Sequence, residues 1–356
     1  NGSKKQKVEL KIRKNVISNG YYLCVLKHKE QCKMEFRTVI GNIDNQGMIQ
    51  HSHNIMLIGS CFSDNIGNKL KRALMNVEIN PFGTVYNPAS ILGEIERIVD
   101  LILVDETELF MHNGMWHHYG FHSKFSSDSA EKAMSKMNKH ITSAHNHLKH
   151  CDFVIITLGT AFVYEAKSLG KIVSNCHKVP AKEFNRFLLS FEHIRTLLDA
   201  IVTKISNFAP QAKIIFTVSP IRHIGDGLEQ NQLSKSLLRA AVGETIAANH
   251  NACIYFPAYE IMMDDLRDYR FYASDMLHPN DVAIEYIWNT FKASFFDDST
   301  AQLVARCERA YKRIEHRPFT DNFAEIEKFQ NETAKVLNAL ADEHPHIKPV
   351  LQQYYK

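Results

Sequence analysis

Four short apolar runs punctuate this chain: "NIMLIG" (54–59), "DFVIITLG" (152–159), "KIIFTVSP" (213–220) and "CIYFP" (253–257). Between them lie stretches with the spacing of amphipathic helices, such as Phe62, Ile66, Leu70 and Leu74 in "CFSDNIGNKLKRALMN". Strands that are apolar throughout are buried on both faces, and strands alternating with helices are joined by crossovers. The pattern therefore predicts a parallel sheet covered by helices on each side, an α/β chain of three α/β/α layers. In such a sheet the working loops leave the carboxyl ends of the strands.

Further helices are expected over about 90–104, 127–149, 181–207, 231–250 and 281–296, with two more across 299–343. A Pro/Gly/Asn-rich loop spans 78–90. Asn113-Gly114 predicts a hairpin within 109–119, and 162–175 reads as a second β excursion.

With 356 residues, 45% of them apolar, the chain can bury a large core. It has no run of about 18 apolar residues and no secretory pattern at its start, so a soluble, cytoplasmic protein away from membranes is expected. Seven cysteines at irregular spacings suggest reduced thiols rather than a disulfide or zinc framework. The net charge of +3 is uneven: residues 1–33 hold nine Lys/Arg against two Glu, so the remainder sums to about −4. We expect 1–33 to be a basic leader, extraneous or poorly packed, ahead of a natural start at Met34. Residues 34–297 would form the main domain and 298–356 a helical extension. A nucleic-acid arm is disfavoured, since the leader brings neither aromatic platforms nor a groove-reading helix. Oligomeric state is left open.

Cys61 falls just past the first strand, at a helix start, where free N–H groups and the helix dipole favour a thiolate. Over two hundred residues later, "YASDMLHPND" carries Asp275 and His278 before another helix; a carboxylate so placed can orient an imidazole and stabilise its charged form. Taken singly, Cys61 can be a small core residue and Asp275 a cap; together they supply nucleophile, base and orienter. Loop positions make Asn175, His177, Arg222 and His223 candidates for substrate contact, with an Arg222–Asp226 brace as the alternative for the arginine. The set His112, His117, His118 and His122 reads as a packed or solvated hairpin, and His140, His145, His147 and His150 as facing water. No metal or organic cofactor is called for.

The stretches "LIGSCFSDNIG", "NPFGTVYNP", "TLGTAFVYE", "NCHK", "FTVSPIRHIGDGLEQNQLSK" and "YFPAYEIMMDDLRDYRFYASDMLHPN" resemble, in order, the GSCFA family of the SGNH, or GDSL-like, hydrolase superfamily. That resemblance implies a flavodoxin-like fold and an ester hydrolase, with an O-acetyl esterase acting on a carbohydrate as the expected form. It places the superfamily's Gly-Asp-Ser on Gly59, Ser60 and Cys61, its oxyanion glycine on Gly83, and its Asp-x-x-His on Asp275 and His278. Gly159 matches the third block, where Ala161 replaces the oxyanion asparagine; one such donor is worth about 2.7–4 kcal/mol of barrier. The Cys61 and Gly83 N–H groups and the Thr160 hydroxyl are the candidate donors, and Ser60 is the alternative nucleophile. A catalytically silent binding protein and an O-acyltransferase are the competing functions.

Overall fold

The computed structural model describes residues 37–41, 45–316 and 321–354. The chain divides into two compact units, Asn1–Thr38 and Val39–Lys356. Of the first, Arg37 and Thr38 are described, and both are exposed; the basic leader of residues 1–33 lies outside the described residues. Everything below concerns the second unit.

Strand β1 (Asn54–Gly59) runs into helix α1 (Cys61–Arg72), and β2 (Asn76–Ile79) follows. Helix α2 (Pro88–Val99) precedes a hairpin of β3 (Phe110–His112) and β4 (Met115–His117), then α3 (Ala130–Lys149) and β5 (Phe153–Leu158). Strands β6 (Phe162–Ala166), β7 (Lys171–Val173) and β8 (Phe184–Leu188) form a small antiparallel sheet ordered β7-β6-β8. Next come α4 (Phe191–Phe208), β9 (Lys213–Val218), α5 (Leu228–Ala248) and β10 (Cys253–Tyr255). A single turn, α6 (Ala258–Glu260), and helices α7 (Asp281–Phe295), α8 (Asp298–Glu315), α9 (Phe323–Glu343) and α10 (Lys348–Leu351) complete the unit.

The main sheet is ordered β10-β9-β5-β1-β2 and every pair in it is parallel. Counted by appearance this is 2-1-3-4-5, the flavodoxin-like order, whose switch point lies between β1 and β5. Alternation along the strands divides the core. Met56 and Ile58 join Val154, Ile156 and Phe216 under α2 to α5, while Ile55 and Leu57 join Ile155 and Ile215 against α1 and α7. The expected three-layer α/β/α architecture is borne out. Leu74 and the last helices build a separate apolar cluster around Cys307, Leu337 and Leu351. Among the described residues no helix is long and apolar enough to cross a membrane.

Two elements differ from expectation. The first helix stops at Arg72, because Leu74 sits at a φ of +56° and releases "NVEI" to pair with β1 as β2. Residues 184–188 have helical spacing but form β8, since β6 offers a free antiparallel edge; α4 starts only after Ser190, whose side chain caps it by accepting from His193 N–H. The Asn113-Gly114 hairpin is present as read, both residues having the positive φ such a turn needs.

Candidate active site

The switch between β1 and α1 is built from residues chosen for space and hydrogen bonding. Gly59 turns out of the sheet at φ +145°, and a Cβ there would stand 2.2 Å from the Thr157 carbonyl oxygen; only glycine fits. Its N–H donates to Asn80 Oδ1 at 2.9 Å, and Asn80 Nδ2 donates to Asp64 Oδ1 at 2.8 Å. This asparagine, just past β2, thus clamps the start of α1. Ser60 is fully buried, and its Oγ accepts from the Phe62 N–H at 3.3 Å as the helix N-cap. Capping and burial take Ser60 out of the cavity and leave Cys61 as the first residue of α1, half-buried, with no acceptor for its N–H among the described residues.

Cys61 Sγ lies 3.6 Å from the hydroxyl of Tyr86. The Tyr86 carbonyl accepts from the N–H groups of Gly159 and Thr160, at 2.7 and 2.9 Å, so the loop after β2 is fastened to the end of β5. Gly159 leaves the room this needs, since a Cβ would meet the Tyr86 side chain at 3.2 Å. Burial, with smaller contributions that include Cys61, pushes the Tyr86 phenol up to about 12, which makes it a neutral donor at any working pH.

His278 projects from the loop before α7. Its Nδ1 lies 2.6 Å from Asp275 Oδ2, and Asp275 Oδ1 accepts from the Leu277 and His278 N–H groups at 2.9 and 3.0 Å. Those two backbone donors, then the imidazole, hold the Asp275 carboxyl down at about 2. The carboxylate therefore fixes the tautomer of His278 and leaves Nε2 without a partner among the described residues. Both side chains are about half exposed.

Cys61, Tyr86, Thr160, Arg222, His223 and His278 line one cavity of about 460 Å³ at the carboxyl edge of the sheet, walled further by Phe162, Tyr164 and Arg186. Lys235, buried and outside the cavity lining, donates to the carbonyls of Gly159 at 2.6 Å and Ser219 at 2.8 Å, joining the ends of β5 and β9; burial lowers its amine to about 7. Burial also brings His223 down to about 4, with Lys235 and His278 adding to the effect, so this imidazole is neutral; its Nε2 is buried without a partner among the described residues. The Thr160 hydroxyl accepts from Phe162 N–H at 3.1 Å and shares a 3.1 Å bond with Ser234.

Several sequence expectations fall elsewhere. Gly83 is buried against His122, and its N–H donates to the Asn80 carbonyl at 2.8 Å inside a tight turn, so that donor is spent. His177 is buried below the small sheet, with Nε2 at 2.9 Å from the His118 carbonyl and Nδ1 at 3.1 Å from Ser123 Oγ; Asn175 Oδ1 accepts from the His177 N–H. Neither lines the cavity. Asp226 pairs with Arg186, not Arg222. Among the α3 histidines, His145 bonds the Ile98 carbonyl of α2 and His147 the Ile55 carbonyl of β1, so they tie α3 to its neighbouring helix and to the sheet instead of facing water. Tyr86, Asn80 and Lys235 were unassigned from sequence; Tyr86 stands inside the quoted "NPFGTVYNP", but its distance from Cys61 depends on strand order.

No curated protein matches the chain. Among solved structures, a Streptococcus pneumonia protein provisionally described as a platelet activating factor is similar at 12% identity and a TM-score of 0.36, with 68% of this chain and 83% of that one covered. A Clostridium thermocellum family 3 carbohydrate esterase is similar at 11% identity and a TM-score of 0.34, covering 71% and 97%. At these scores neither likeness bears on chemistry. The family comparison is more specific: the GSCFA family model matches residues 54–291, from β1 through most of α7 and including every residue that lines the cavity. The chain belongs to the GSCFA family.

Proposed function

We propose that the protein is an SGNH-like ester hydrolase that cleaves an O-acyl ester of a polar, carbohydrate-like alcohol through Cys61, His278 and Asp275. The observation that carries this reading is the convergence of a thiol at a helix N-terminus and an Asp-oriented imidazole on one cavity. His278 Nε2 takes the thiol proton as Sγ attacks the acyl carbonyl carbon, and the carbonyl electron pair moves onto oxygen. Collapse of that intermediate expels the alcohol oxygen, which receives the proton from His278 and leaves a thioester on Cys61. Water then attacks the thioester, with Nε2 taking its proton; the C–S bond breaks, Sγ takes that proton back from Nε2, and the carboxylic acid departs. The Cys61 N–H is the unengaged donor for the oxyanion; the Tyr86 hydroxyl, which donates to Thr84 Oγ1 over a long 3.4 Å, would turn to it as charge develops, with Thr160 a third.

A binding role without catalysis is favoured by one observation, the loss of the Gly83 donor to its own turn. Hydrolysis of short aryl acetates and acetylated sugars by the native chain, Cys61→Ala, Ser60→Ala and His278→Ala separates the two. We expect activity in the native chain, and in Ser60→Ala to the extent that it folds, but not in the other two; a Cys61→Ala rate equal to the native one rejects the assignment.

A further inference from the structure

The cavity holds two guanidinium groups in different electrical circumstances. Arg186 is neutralised by Asp226, which it grips with both Nη atoms, and it stacks on Phe162 at 4.3 Å. Arg222 has no carboxylate partner among the described residues. Its guanidinium carbon lies 4.2 Å from the Tyr272 ring centroid and 5.3 Å from that of Tyr269, and its Nε donates to the Tyr272 hydroxyl at 3.2 Å. Its backbone N–H approaches the Leu277 carbonyl at 3.4 Å, so it sits beside the loop that presents His278. The charge is therefore oriented and uncompensated; a guanidinium so arranged takes paired oxygens of an oxyanion through its N–H fork.

We infer that the ester cleaved here carries an anionic group, a carboxylate, phosphate or sulfate, on its alcohol part, and that Arg222 is the residue that binds it. The inference rests on the hydrolase reading above for the direction of the substrate. In that mechanism His278 delivers its proton to the leaving alcohol, so the alcohol faces the loop next to Arg222 and the acyl group faces away. The exposed rings of Tyr164, on the cavity wall, and Tyr269, beside Arg222, suit the apolar face of a sugar carrying such an anion.

Two matched substrate pairs test this. In one, 4-acetoxybenzoate and its methyl ester differ by an anion on the alcohol part; in the other, an aryl hemisuccinate and the corresponding aryl propionate differ by an anion on the acyl part. Each kcat/KM is divided by the rate of the same ester with hydroxide. The native chain should prefer 4-acetoxybenzoate over its methyl ester by about tenfold or more, the scale of one charge-assisted bond. That ratio should fall to about one in Arg222→Gln and recover in part in Arg222→Lys. A native ratio near one, a ratio unchanged in Arg222→Gln, or a preference only for the hemisuccinate overturns the inference. Calorimetric binding of 4-hydroxybenzoate to Cys61→Ala, with and without Arg222→Gln, reads the arginine without any turnover. Binding that needs Arg222 in a chain with no esterase activity would end the hydrolase reading and keep the anion site; equal binding by both proteins would end the site.

Discussion

Histidines in two regions of this molecule differ in a way that separates chemistry from scaffolding. Under the hairpin and small sheet, His117 bonds Ser126 and the His112 carbonyl, while His177 bonds Ser123 and the His118 carbonyl, so both ring nitrogens of each are committed. Burial moves both toward the neutral form, His177 to about 4. At the carboxyl edge of the sheet His278 commits one nitrogen to Asp275 and keeps the other open toward the cavity. A base needs a nitrogen that can gain and lose a proton; a strut needs none. Loop position alone does not distinguish them, but spare hydrogen-bonding capacity does.

The largest effect that can break this comparison is the loss of the open imidazole or the thiol. His278→Ala or Cys61→Ala should lower kcat/KM on an aryl acetate at least about a thousandfold, the order found when a catalytic group that acts with others is removed. His177→Ala should instead leave the activity of the folded fraction in place and lower stability by about 1–3 kcal/mol, as buried partners lose their bonds; denaturant titration beside rate measurement separates the two. A similar collapse of activity in both would erase the distinction.

Next in size is Tyr86→Phe. Removal of its hydroxyl should reduce kcat by about 100-fold with KM little changed, because the bond is gained mainly as charge develops on the carbonyl oxygen. An increase in KM alone would make Tyr86 a wall of the cavity and nothing more.

A last effect, read in stability and not in rate, concerns Glu94, a half-committed group on the scaffold side. Its Oε1 accepts from Phe82 N–H at 3.2 Å, whereas Oε2 is buried without a partner among the described residues, and burial raises the carboxyl to about 8. The folded state therefore holds this proton between pH 4.5 and 8 while the unfolded chain has lost it. Its contribution to stability should be full below pH 4.5 and decline as pH rises toward 8. Glu94→Gln should flatten that stretch of the melting-temperature profile, and an unchanged slope would assign the decline to another group.

How much of this was legible in the sequence depends on how far apart the partners lie. The Asp275–His278 pair was readable, since three residues of loop suffice to bring carboxylate to imidazole. The layer order followed from apolar runs that only a doubly covered sheet can bury. β2 was not readable, because four residues after a helical spacing carry little period, and β8 was hidden because Phe184, Phe187 and Leu188 fit a helix until β6 supplies an edge. Contacts such as Tyr86 to Cys61, Gly83 to Asn80 and His147 to the Ile55 carbonyl depend on strand order and turn geometry, which no local pattern encodes.

The most direct test is to quench the native chain during turnover of an activated aryl ester and search its peptides for the acyl mass. The account predicts that mass on the peptide carrying Cys61 and its loss in Cys61→Ala. Acyl transfer to another residue, or turnover at the native rate without the thiol, would contradict it.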